Sequence, residues 1–211
     1  MEIAIPTEEG FALEGAVDGD GPRAVVLCHP HPAFGGRMDT PLIAALASAL
    51  GRSGLRALRF NFRGIGSSGG APTGGRVEER DVAAAFAWLL ASGASEISIA
   101  GYSFGALMAA KAIARRLVDA RRWVAIGFPT TIIGDDPDRV ADVAAALAAA
   151  PSLLLAGTAD QFCELPRLRG WIAGRSNARL IELEGAGHFF FGSALDDVID
   201  RAVNFLDGET L

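Results

Sequence analysis

Several residue types are scarce in this sequence. Among 211 residues there are two cysteines, Cys28 and Cys163, too few and too far apart for a disulfide framework. Positive charge is in deficit, with 19 Lys and Arg against 25 Asp and Glu and a net charge of −6. That balance excludes the basic face that nucleic acid requires and disfavours an anionic membrane surface. Long apolar runs are missing too. The longest, Val82–Ala91, is about half of the ~20 residues a bilayer needs and fits a buried helix. The opening Met1-Glu2-Ile3 lacks the basic and apolar segments of a secretory signal, so a cytoplasmic location is expected. No repeat or low-complexity linker interrupts the chain, and one domain over 1–211 is expected.

What is present is half hydrophobic and turn-rich, with 26 Gly and 10 Pro. Short apolar runs suited to strands alternate with alanine-rich helical stretches. The strand expectations are Glu2–Ile5, Phe11–Val17, Ala24–Cys28, Leu55–Phe62, Glu96–Ala100, Arg122–Gly127, Ser152–Ala156 and Arg179–Leu183. Between them, helices are expected from an N-capping Thr40 with Pro41 up to Gly51, then at Val77–Ser92, Phe104–Val118, Pro137–Ala150 and Leu165–Ala173. A final helix shows one apolar stripe, Leu195, Val198, Ile199, Ala202, Val203 and Leu206. Strands bracketed by helices imply an α/β class with a mostly parallel sheet, and the fully apolar AVVLC and SLLLA imply helices on both faces. Ligand sites in such sheets lie at the carboxyl ends of the strands.

The unusual residues cluster in those loops. Gly101-Tyr102-Ser103-Phe104-Gly105 is G-x-S-x-G between a strand and a helix, the arrangement of a nucleophile elbow. Its glycines allow a turn too sharp for side chains, and the helix N-terminus favours developing negative charge. A serine needs a base, and His188 stands in a glycine-rich loop after the last strand. The base needs an acid. Asp160, after Ser152–Ala156, completes the chain order Ser, Asp, His, with Asp135 and Asp136 as rivals that suit a helix N-cap.

Five stretches together resemble the α/β-hydrolase superfamily, in particular small lidless bacterial serine hydrolases of the dienelactone-hydrolase-related branch. They are Cys28-His29-Pro30-His31-Pro32 with Gly35-Gly36, Asn61–Gly69, Gly101–Gly105, Gly157–Asp160 and Gly187-His188-Phe189-Phe190, covering roughly Ala24 to Phe205. Dienelactone hydrolases proper carry cysteine at the elbow. Here it is Ser103, so their substrate does not carry over. The resemblance implies an α/β-hydrolase fold without a lid domain, because Phe128–Asp136 is too short to form one.

It also implies an oxyanion hole built from the backbone N–H groups of His31 and Phe104, since Pro30 and Pro32 have none to offer. Arg63 is expected to tie loops together, and both cysteines to be bystanders. The pair His29 and His31 has no carboxylate at ligand spacing, so no metal and no organic cofactor is expected. The expected activity is cleavage of short-acyl carboxylic esters or thioesters by Ser103, Asp160 and His188. A small-peptide or amide hydrolase is the alternative, and a non-catalytic binding protein on the same fold is a third reading. The partner is a small acyl substrate, with a homodimer left open.

Overall fold

The computed structural model describes residues 1–210. Eight strands form one sheet: β1 (Glu2–Pro6), β2 (Ala12–Asp18), β3 (Arg23–Cys28), β4 (Arg56–Phe60), β5 (Glu96–Tyr102), β6 (Trp123–Ile126), β7 (Ser152–Gly157) and β8 (Ala178–Leu183). Their spatial order is β1-β2-β4-β3-β5-β6-β7-β8. The hairpin β1–β2 and its junction with β4 are antiparallel, and every later pairing is parallel. The helices are α1 (Pro41–Arg52), α2 (Glu79–Ala91), α3 (Phe104–Ala114), α4 (Thr130–Ile133), α5 (Pro137–Ala149), α6 (Leu165–Ile172) and α7 (Ser193–Asp207).

Alternation along the central strands sorts the core into two halves. Val25 and Leu27 of β3 pack with Leu46 and Leu50 of α1 and with Val198, Ala202 and Leu206 of α7. Val26 and Cys28 face the other way, among Val82 and Phe86 of α2, Ala106 and Met108 of α3 and Val143 and Leu147 of α5. A sheet covered on both faces explains why β3 and β7 carry unbroken apolar runs. The α7 stripe lies against the sheet as its periodicity predicts. No helix among the described residues is long and apolar enough to cross a membrane.

Three details at helix ends depart from expectation for local reasons. The helix expected from Val77 begins at Glu79. The Glu78 carboxylate instead accepts the N–H groups of Thr73, Gly75 and Val77, holding that stretch as a loop. The helix expected to reach Val118 stops at Ala114, because Arg116 adopts a left-handed φ of 56° without any glycine to announce it. Thr40 does precede α1, but its hydroxyl accepts the Arg37 N–H rather than capping the helix. Between β6 and β7 the chain adds only α4 before α5.

Candidate active site

Ser103 sits between β5 and α3 with φ 54° and ψ −115°, a conformation that a non-glycine residue adopts only under constraint. The surroundings supply that constraint. The Ser103 N–H donates to the Ile126 carbonyl on the neighbouring strand at 2.8 Å. A Cβ on Gly101 would lie 2.5 Å from the Gly105 carbonyl oxygen, and one on Gly105 would lie 2.2 Å from that of Cys28. Both glycines are therefore steric requirements of the elbow, and α3 starts hard against the end of β3.

The loops after β7 and β8 are laced to each other. Ala159 N–H donates to the Ala186 carbonyl and Gly185 N–H to the Thr158 hydroxyl. Gly157 leaves no room for a side chain, since its Cβ would be 2.1 Å from the Ala186 oxygen. This lacing brings Asp160 to His188, and the Asp160 Oδ2 to His188 Nδ1 distance is 2.7 Å. On the other side of the ring, His188 Nε2 lies 3.0 Å from Ser103 Oγ. A carboxylate can only accept, so His188 Nδ1 is the donor to Asp160, and Nε2 is left to accept the serine proton. The second Asp160 oxygen accepts the Phe162 N–H at 2.8 Å. The rival aspartates lie elsewhere. Asp136 caps α5 through the N–H groups of Asp138 and Arg139, and Asp135 pairs with Arg167.

The N–H groups of His31 and Phe104 have no acceptor among the described residues. The His31 ring meets the Phe104 ring edge-on, with centroids 4.8 Å apart. His31, Ser103, Phe104 and His188 border one cleft of about 890 Å³, within the range of small-ligand sites. Its apolar surface includes Leu107, Met108 and Phe162, and its mouth carries the exposed side chains of Phe34, Ile132, Phe189 and Phe191. Lys111, the sole lysine, holds one wall in place by donating to the carbonyls of Gly75 and Arg76 while pairing with Glu79.

The two histidines of the β3 loop face apart. His29 is fully buried, with Nε2 accepting the Phe62 N–H and Nδ1 bonded to the Pro30 carbonyl. His31 borders the cleft, and its Nδ1 accepts the Ala33 N–H. Arg63 does tie loops together, gripping the buried Asp81 of α2 and Glu9 of the β1–β2 turn, away from the cleft. Burial pushes the Cys28 thiol pKa far up and that of Cys163 to about 12, which suppresses thiolate at either position.

Sequence reasoning missed three contributors. Tyr102 donates its hydroxyl to the His188 carbonyl. The α4 segment brings Ile132 to the cleft from the loop after β6, and the Gly74–Arg76 loop forms a wall. Tyr102 alone had a signal, as the sole tyrosine inside the elbow.

Comparison with known proteins agrees with this fold. Residues 22–203 match the family model described as an alpha/beta hydrolase domain. Over 130 residues, 57% of this chain, it is 35% identical to an uncharacterised protein of Rickettsia prowazekii, and the match spans only 54% of that protein. An alpha-beta serine hydrolase homologue from Coxiella burnetii superposes with a TM-score of 0.82 at 26% identity, covering 98% of this chain and 97% of that one. A serine hydrolase without a lid from Xanthomonas campestris superposes at 0.81 and 26% identity, covering 98% and 92%. With its elbow, its sheet order and a family match spanning most of its length, the chain belongs to the alpha/beta hydrolases, on the lidless side of that family.

Proposed function

We propose that the protein is a serine hydrolase that cleaves short-acyl carboxylic esters or thioesters. The observation that carries this reading is the unbroken run of contacts from Asp160 through His188 to Ser103, 2.7 and 3.0 Å long, beneath a constrained elbow. His188 takes the Ser103 proton as Oγ attacks the acyl carbon. The tetrahedral oxyanion is held by the N–H groups of His31 and Phe104. Collapse expels the alcohol or thiol, protonated by His188, and leaves an acyl-enzyme. Water then attacks with His188 again as base, the acid departs, and Ser103 regains its proton. Asp160 keeps the imidazole in the productive tautomer throughout.

The short-acyl preference rests on the walls. Each buried methylene is worth roughly 0.8 kcal/mol only where protein covers it. Beyond Leu107 and Met108 the cleft opens past the exposed Phe34 and Phe191, with no lid to close over a longer chain. The test is a series of p-nitrophenyl esters and acyl thioesters, run beside labelling with a fluorophosphonate probe. kcat/KM should peak between acetate and hexanoate, and the probe should label Ser103. A kcat/KM that climbs to palmitate below its aggregation threshold overturns the chain-length reading, and absence of labelling overturns the hydrolase reading. Arg63 pairs with Asp81 and Glu9 rather than facing the cleft, so it offers nothing to the amide-hydrolase alternative.

A further inference from the structure

His29 plays no part in the proton relay, yet it is wholly buried and both ring nitrogens are engaged. Its tautomer follows from its partners. A backbone N–H can only donate, so the Phe62 N–H, 3.1 Å from Nε2, requires that nitrogen to be bare. The ring proton therefore sits on Nδ1 and is donated to the Pro30 carbonyl at 2.7 Å. Burial favours this neutral ring and lowers its pKa to about 4.

The Pro30 carbonyl and the His31 N–H belong to one peptide unit. There are no cis peptide bonds, so the two groups point in opposite directions. The proline rings fix φ at positions 30 and 32, which leaves rotation of the 30–31 peptide plane as the loop's main soft motion. His29 blocks that rotation. With the Pro30 oxygen turned inward onto its imidazole, the His31 N–H is turned outward, toward the cleft that His31 borders. Gly36 closes the remaining side, because a Cβ there would lie 2.0 Å from the Pro30 oxygen. A flipped plane would leave a fully buried ring N–H with no partner.

The bond to Phe62 anchors the device to the sheet. The β3–β4 ladder ends at the Cys28–Phe60 pair. Just past that end the imidazole supplies the acceptor for Phe62, so the ring is held by the segment leaving β4 and in turn holds the loop.

We propose that His29 is a positioning residue for the oxyanion hole, presenting the His31 N–H to the tetrahedral intermediate by gripping the carbonyl of the same peptide. This rests on the serine hydrolase reading above and adds a residue outside its triad.

Two variants separate the two halves of the device. His29→Asn keeps an N–H near the Nδ1 position and loses the acceptor for Phe62. His29→Gln keeps an acceptor near Nε2 and loses the grip on Pro30. Each is assayed with p-nitrophenyl acetate and with a trifluoromethyl ketone, which adds to the serine and generates the oxyanion. Loss of one oxyanion donor costs about 10²–10³ in kcat. His29→Gln should therefore lose roughly 100-fold or more in kcat, with KM within about threefold and a parallel loss of ketone affinity. His29→Asn should recover at least about tenfold of that loss.

An equal or greater loss in His29→Asn, or a change confined to KM, overturns the proposal. Should neither variant fold, nitrogen NMR of the unaltered protein decides. A proton on Nδ1 with a bare Nε2 supports the grip, and a proton on Nε2 overturns it. Active unaltered protein with undiminished His29→Gln refutes the positioning role alone. Unaltered protein that hydrolyses no ester and escapes the fluorophosphonate probe refutes the hydrolase reading, and this inference with it.

Discussion

The Tyr102 hydroxyl donates to the backbone carbonyl of His188 at 2.8 Å, so the residue beside the proposed nucleophile holds the loop that carries the proposed base. The bond is buried and joins positions 86 residues apart in sequence. Tyr102→Phe leaves that carbonyl without its partner, at a cost of about 1–3 kcal/mol. Urea denaturation should show this loss, and kcat should fall several-fold as His188 loosens. An unchanged midpoint and kcat would mean that the bond holds nothing.

The proposed triad predicts a graded series. Ser103→Ala should lower kcat by up to about 10⁶-fold with the fold retained. Asp160→Asn should cost about 10⁴-fold through the wrong His188 tautomer. Asp136→Asn exchanges one helix cap for another and should remain near full activity. Steady-state kinetics on the three proteins, with circular dichroism as a check on folding, tests the assignment. Activity lost in Asp136→Asn and kept in Asp160→Asn would move the acid.

Stability should respond to pH through His29. Its pKa is lowered by burial to about 4, against an ordinary value of 6.5. Between those values the unfolded chain binds the proton that the folded chain refuses, so stability rises with pH across this window. The contribution is complete above about pH 6.5, is lost as pH falls toward 4, and changes no further below it. Between pH 7 and pH 4.5 the loss from this residue is about 2–3 kcal/mol. Urea titrations of the unaltered protein should show that loss in excess of the one seen in His29→Gln. Identical pH dependence in the two proteins would refute it.

Two glycines should behave oppositely. Gly105→Ala forces a Cβ to 2.2 Å from the Cys28 oxygen, a contact between two backbones that neither side can relieve. It should destabilise by more than about 3 kcal/mol and abolish turnover. Gly170 lies inside α6 with nothing within 4 Å of its Cβ position. Gly170→Ala should gain about 0.5–1 kcal/mol by restricting the unfolded chain. Thermal melts of both proteins check the contrast.

The parts legible in the sequence were those governed by periodicity or by sterically obligatory residues. The α7 stripe, the apolar β3 and β7 runs and the elbow glycines each follow from local rules. Asp160 could be named as the candidate acid because the chain order of the three residues constrained it, and the structure places it against His188. The early end of α3 was not, because Arg116 takes the left-handed conformation under tertiary pressure, where sequence rules look for glycine. The roles of Tyr102, His29 and Lys111 were hidden for a related reason. Each acts on a backbone carbonyl, and a carbonyl has no letter in the sequence.

The proposed nucleophile, acid and base come from the loops after three different strands, β5, β7 and β8, with Ser103 and His188 85 residues apart and His188 28 residues beyond Asp160. During synthesis a growing chain thus carries its serine long before it can use it. On the proposed triad, competence arrives only when β8, at the edge of the sheet, has docked on β7. The same order runs in reverse on heating. Fraying of that edge strand removes the base while the central strands remain paired, so turnover should fade ahead of bulk melting and serve as a reporter on the last piece of the fold to assemble.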